Sequence, residues 1–397
     1  MSPRRTPPFR AEHVGSLLRP DYLLNARKKF DKHEITQQQL RELEDRAIID
    51  AIDMQRSAGI KGITDGEYRR HMFYDGFFEF LEGFEEVENP PLEIFKLYVP
   101  DIYAFTNSMQ EVKFGTTTLC TGKIKHVKSG YLPQFEALKA LVRPEEVPSL
   151  KLTTVAPEWF HLRHGEHAFR HEVYPDREAY FDDIAVAYRR ELDILYAAGC
   201  RNIQIDDPLL AYFCDVSMLK GMRDEGEDPD ALFDSYIRLY NNCLAGRKPD
   251  MTVGIHLCRG NFRHSMHFSE GGYDAIATKL FNEVNVDCYY LEYDTERAGT
   301  FEPLRHVPKH KSLVLGLITS KFPTLEDKTV LKERVLDAAR IVASGTGESV
   351  DEALQRICVS PQCGFASHEE GNLLTAHDMK QKLQLVRDLA GSIWVDA

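Results

Sequence analysis

The chain has 397 residues, 43% of them hydrophobic and 28% charged, the balance of a globular protein long enough to bury a sizeable core. Forty-nine basic residues against 62 acidic ones leave a net charge of −13, a poor match for polyanions, so nucleic acid is not an expected partner. No apolar run approaches the roughly 18 residues of a membrane span, the basic, Pro-rich residues 1–10 are not followed by the apolar stretch of a secretory signal, and eight scattered cysteines point to a reducing cytoplasm rather than a disulfide framework.

Along the chain, a short β-rich run ending in polar residues is followed by a helical stretch, and the pattern repeats. The runs fall at 12–16, 62–67, 151–157, 202–208, 252–258, 286–293, 312–320 and 356–363. Between them, 41–58, 180–198 and 328–343 carry apolar residues at helical spacing, such as Leu43, Ala47, Ile48, Ala51 and Ile52, as a helix burying one face requires. Eight alternating units predict a single-domain (β/α)8 barrel. Residues 79–148 are too long for a loop. They hold a strand-like run at 116–127 and a helix-like run near 134–141, and read as an insertion between the second and third barrel units. The acidic stretch 82–93 reads as solvated surface.

In such a barrel, chemistry gathers at the C-terminal ends of the strands. The runs end in His13 and Ser16, Asp65 and Glu67, Glu158 and Trp159, Asp206 and Asp207, His256 and Cys258, Glu292 and Asp294, and Cys363. In T-V-G-I-H-L-C, His256 and Cys258 are two residues apart and share a strand face. Imidazole and thiolate together favour zinc. Glu292 ends the next run, and Cys363 sits in a turn beyond the last, so the four could ring the barrel mouth. Cys288 and Cys358 lie deeper and read as core. The histidines at 161, 164, 167 and 171 read as a solvated helix face before a chelating one, and His264 and His267 follow the Cys258 loop. G-T-G-E at 345–348 lacks the lysine of a phosphate-binding loop.

The chain resembles the C-terminal barrel of cobalamin-independent methionine synthase and its short, single-barrel relatives. The match rests on E-H-V-G-S-L-L-R-P at 12–20, D-G-E-Y-R-R at 65–70, N-I-Q-I-D-D-P at 202–208, I-H-L-C at 255–258, L-E-Y-D at 291–294 and S-P-Q-C-G at 360–364. The resemblance implies zinc held by His256, Cys258, Glu292 and Cys363. It also implies an amino-acid pocket formed by the Ser16 backbone, Glu67 and Asp206. Asp207 and Trp159 are further candidates for substrate binding, Trp159 either as a stacking surface for a flat donor such as a pterin or as core. The implied reaction is methyl transfer to a thiol, homocysteine giving methionine, from methyltetrahydrofolate or another donor. The alternatives are a zinc-dependent alkyltransferase for another thiol or electrophile (epoxide-opening or corrinoid-linked) and a non-catalytic zinc barrel. One departure stands out: where the family carries I-H-S-P after its seventh strand, this chain has L-I-T-S-K-F-P, with Thr319 at the histidine's place. Lys321 or a nearby histidine is left as a stand-in acid. A homo-oligomer is compatible with the sequence.

Overall fold

The computed structural model describes residues 7–107 and 115–397; most of the N-terminal segment 1–10 therefore lies outside the described residues. Two helices open the fold, α1 (Asp21–Asp31) and α2 (Gln37–Ala58). Thr36 closes a capping box at the start of α2, and Gly59 ends it at φ 84, a left-handed cap that glycine adopts without a Cβ clash. An antiparallel hairpin follows, β1 (Leu81–Glu88) and β2 (Thr116–His126), with α3 (Pro100–Asn107) between its strands. Next come α4 (Leu132–Ala140), β3 (Lys151–Val155), α5 (Trp159–His164), α6 (Arg177–Ala198), β4 (Asn202–Asp207), α7 (Leu209–Tyr212), α8 (Val216–Asp224) and α9 (Pro229–Cys243). The last third holds β5 (Thr252–Leu257), α10 (Ala277–Glu283), β6 (Cys288–Glu292), β7 (Ser312–Ile318), α11 (Lys328–Thr346), α12 (Val350–Leu354), β8 (Ile357–Pro361) and α13 (Ala376–Ile393).

β3 to β8 form one parallel sheet in chain order, each strand inside a run expected from sequence. The first two runs are not regular strands, yet they close the ring. Ala11 bridges to Val359 of β8 in parallel, with Glu12 N donating to Val359 O at 2.9 Å and Val359 N to Arg10 O at 3.0 Å. On the other side Lys151 N donates to Ile63 O at 2.9 Å, and Leu17 N joins the two segments through Gly66 O at 3.1 Å. Their backbones depart from the β region at Gly15 (φ 151), Gly66 (φ 68) and Glu67 (φ 61). A Cβ on Gly15 would meet Thr153 Cγ2 at 2.5 Å, so close packing demands glycine there.

Inside the barrel, Glu12 and Lys151 form a fully buried ion pair at 2.8 Å, the Lys151 ammonium 4.8 Å over the ring of Tyr290, which belongs to a small cluster with Cys288, Val314 and Cys358. Cys288 and Cys358 are thus core, as expected. β1 refines the sequence reading: the acidic stretch is in large part a strand, half of its side chains exposed and only Leu81 buried. The helix face of residues 161–171 is also more buried than expected. His161 Nδ1 pairs with Tyr236 Oη at 2.8 Å, and His164 spends its nitrogens on Thr117 Oγ1 at 2.8 Å and Ile94 O at 2.9 Å, which removes the chelating alternative for His164. Among the described residues no helix is long and apolar enough to cross a membrane.

Candidate metal centre

β5 delivers His256 and, one residue past its end, Cys258; both are buried. Neither ring nitrogen of His256 has a hydrogen-bond partner, an uncommon state for a buried imidazole and one that calls for a ligand. Glu292 ends β6 with no exposed surface, and Cys363 sits just beyond β8. Cys258 Sγ lies 3.4 Å from Cys363 Sγ. One donor atom from each of His256, Cys258, Glu292 and Cys363 falls within 4.8 Å of the others. Tetrahedral zinc, with bonds of about 2.0–2.3 Å, spaces its ligand atoms by about 3.3–3.8 Å. A small contraction meets that geometry, and one nitrogen, two sulfurs and a carboxylate are a zinc donor set.

The four groups share charge unevenly. The hydrogen bond between Cys258 and Cys363, 3.4 Å apart, and then the nearby His256 imidazole hold the Cys363 thiol well below its ordinary value against the effect of burial. The same bond, with burial, pushes Cys258 up. Burial alone would lower His256, but Cys363 outweighs it and raises the imidazole to about 9.

Two loops carry the cysteines, and polar side chains lock them together. Lys321 Nζ donates to Gly260 O at 3.0 Å, Asn261 Oδ1 at 3.1 Å and Met266 O at 3.3 Å. Asn261 Nδ2 and Ser320 Oγ each donate to Gly364 O at 2.8 Å. Lys321 is therefore spent on the Cys258 loop, which corrects its reading as a stand-in acid. Thr319 instead receives a hydrogen bond from Lys321 N at 3.2 Å. His267 pairs with Glu270 at 3.0 Å on the surface, and His264 is exposed at φ 59.

A cavity of about 260 Å³ opens over the cluster, with Ser16, Trp159, Asp206, His256, Cys258 and Cys363 on its wall. Asp206 points inward from β4 and accepts from Gln204 Nε2 at 2.6 Å; burial, reinforced by Glu67, pushes its carboxyl up to about 7. Glu67 stays behind the wall, its Oε1 accepting from Thr153 Oγ1 at 2.7 Å and its Oε2 unpartnered. Burial raises it as well. Ser16 O accepts from Phe365 N at 3.0 Å, and its Oγ from Ala366 N at 3.3 Å, tying the first segment to the Cys363 loop.

Asp207 is not brought to this cavity. Strand alternation turns it outward, where its Oδ1 accepts from Leu209 N at 2.7 Å and Leu210 N at 2.9 Å and its Oδ2 from Tyr240 Oη at 2.5 Å. Glu158 lies against it, and burial with the Asp207 charge lifts the Glu158 carboxyl well above its usual range. Trp159 is on the wall but already packed: Tyr74 stacks on it at 4.7 Å, Phe73 meets its edge at 5.2 Å, and the Arg163 guanidinium lies 4.4 Å over its ring. It is a wall element rather than a bare stacking platform. His13 bonds Gly62 O at 3.0 Å, Asp65 caps Glu67 N at 2.9 Å, and Asp294 pairs with Arg297 at 2.7 Å; none of the three is on the cavity wall. Sequence reasoning missed Tyr74, Asp101, Arg163 and Tyr212, which also line it. They come from irregular segments and short helices whose direction no periodicity announces.

Fold and site together define a (β/α)8 barrel with a His–Cys–Cys–Glu cluster and buried carboxylates at the C-terminal ends of its strands. The chain belongs to the family of the cobalamin-independent synthase catalytic domain, whose profile matches residues 168–391. It is 38% identical to YxjH, an uncharacterised protein of Bacillus subtilis, over 98% of this chain and 96% of that one. A methionine synthase of Pyrococcus furiosus is 22% identical over 81% of this chain and 79% of its own length. Among solved structures, a protein of Listeria monocytogenes assigned as a vitamin-B12-independent methionine synthase superposes with a TM-score of 0.73 at 31% identity, covering 98% of this chain and 99% of its own.

Proposed function

We propose that the protein is a zinc-dependent methyltransferase whose acceptor is a thiol, homocysteine, and whose product is methionine. The observation that carries this reading is the buried four-donor cluster with both His256 nitrogens unpartnered, opening onto a cavity that also holds Asp206. Membership of the methionine synthase family supports it.

Zinc, when bound, supplies a Lewis acid that keeps a thiol deprotonated and nucleophilic at neutral pH. His256, Cys258, Cys363 and Glu292 would hold it. The chain's own part is placement. Asp206, with Glu67 behind it, offers a charge-assisted hydrogen bond to the substrate's ammonium group. The Phe73–Tyr74–Trp159 wall bounds the space for the methyl donor, so sulfur and carbon meet within one small cavity.

A second reading is favoured by one observation. Thr319 stands where the family's acid histidine is expected, and Lys321 is fully engaged. This supports a methyl donor whose leaving group needs no proton from that position, or a different electrophile. The test is mass-spectrometric detection of methionine from homocysteine and a polyglutamylated methyltetrahydrofolate by zinc-loaded protein. Turnover that Cys258→Ser abolishes is the expected result. No turnover with one zinc per chain would discard this donor and leave the second reading.

A further inference from the structure

Part of the cavity wall takes no part in the metal cluster. The helix α3 brings Asp101 and Phe105 to it, four residues apart and so on one helix face. The Phe105 ring meets Phe262 edge-on at 5.0 Å and Phe268 at 5.6 Å, and both of these line the cavity. Tyr74, Trp159 and Tyr212 line it as well, so rings from separate parts of the chain bound one small space.

The charges on this wall favour a cation. Asp101 is buried. Its Oδ2 pairs with Arg163 Nη2, and its Oδ1 has no hydrogen-bond partner. A buried carboxylate oxygen left unpaired is costly until a cation or a donor reaches it. Among the described wall residues Arg163 is the one fixed cation. Asp101 already neutralises it, which leaves no lysine or arginine to receive an anionic donor. Aromatic rings beside a carboxylate suit a cation clothed in methyl groups, since the ring quadrupoles attract it without a hydrogen bond. The wall is also short of a proton source. Thr319 and Lys321 are not on it, and its one histidine among the described residues, His256, belongs to the metal cluster. A sulfonium needs no such source, because it leaves as a neutral thioether.

We propose that these rings, together with Asp101, bind a small methylsulfonium cation as a methyl donor. The inference rests on the thiol-methyltransferase reading above and gives its second form a substrate class. The step balances without a co-reactant. The acceptor thiolate attacks the methyl carbon and a new S–CH3 bond forms. The old S–CH3 bond breaks with its electron pair staying on the donor sulfur, the neutral thioether departs, and the thiol proton has passed to solvent.

Binding and transfer are measured separately in the zinc-loaded, full-length protein. Calorimetry compares dimethylsulfoniopropionate with 4-methylpentanoate, the isostere that carries carbon in place of the charged sulfur. The sulfonium is expected to bind about fivefold more tightly or better, the preference that a cation–π contact commands. Asp101→Asn and Phe105→Leu should each erase most of that preference and leave the isostere's affinity nearly unchanged. With deuterated methyl groups on the sulfonium and homocysteine as acceptor, mass spectrometry should find labelled methionine and the demethylated thioether in equal amounts. Equal affinity for the two probes, or a preference that survives in both variants, overturns the proposal. So does a protein that makes methionine from methyltetrahydrofolate but takes no label from the sulfonium. Homocysteine binding, measured by calorimetry without the sulfonium, tests the acceptor on its own: its absence counts against the reading above, while the probe preference still decides the cation site.

Discussion

Neighbouring aspartates on one strand end do unrelated work. Asp206 faces the cavity and Asp207 faces the helices, because successive side chains alternate across a strand. Asp206→Asn should raise the KM for homocysteine by tenfold or more, since a charge-assisted hydrogen bond is worth about 1.5–3 kcal/mol, and leave the unfolding midpoint nearly unchanged. Asp207→Asn should do the reverse. It weakens the cap on Leu209 and Leu210 and the bond from Tyr240, costing about 1–3 kcal/mol in denaturant unfolding with KM unaltered. Comparing the two variants by kinetics and urea titration checks both. Gly364 gives a third case: a Cβ there would meet Ser16 Oγ at 2.0 Å. Gly364→Ala should therefore displace the Cys363 turn and lower zinc occupancy, as metal analysis would show.

Elements with strong periodicity were legible in the sequence, and those shaped by close contacts were not. Six of the eight expected runs contain the parallel strands, because a strand buried on both faces is a continuous apolar run. The helices α2, α6 and α11 enclose the predicted spans; α2 and α6 gain about a turn at the N-terminus, where Thr36 and Asp176 cap them, and α11 gains one at the C-terminus, where Gly347 ends it. The first two runs lost regularity to Gly15, Gly66 and Glu67, whose conformations serve local packing. β1 hid because its outward side chains are acidic, a composition that reads as loop. Behind β6 and β7 lies an element-scale consequence for pH. Lys311 is buried, its Nζ donating to Phe281 O at 2.8 Å, Val284 O and Tyr289 Oη at 3.2 Å, and burial lowers it to about 8. Between that value and the ordinary lysine value the unfolded chain binds more protons than the folded one, so folding stability rises with pH across this window. Relative to Lys311→Met, the parent should gain stability from pH 8 to pH 10 in paired urea titrations; a gap that stays constant would show that the amine titrates normally.

For the molecule as a whole, the ring of strands converts residues hundreds of positions apart into one site. Cys258 and Cys363 are 105 positions apart and touch; the four-donor set was readable because each member marks the end of a strand, and a closed barrel brings strand ends together. The aromatic and charged wall built by Tyr74, Asp101 and Arg163 was not readable, since its placement depends on an irregular segment and two short helices around the mouth. If the cluster binds metal only when folded, chelation should lower the thermal midpoint and zinc should restore it. X-ray absorption at the zinc edge, counting sulfur neighbours of the metal before and after homocysteine is added, tests whether this cluster binds zinc and the substrate thiol. Two sulfurs are expected before, from Cys258 and Cys363, and three after. Two sulfurs in both states, or a protein that takes up no zinc, would contradict the proposed function.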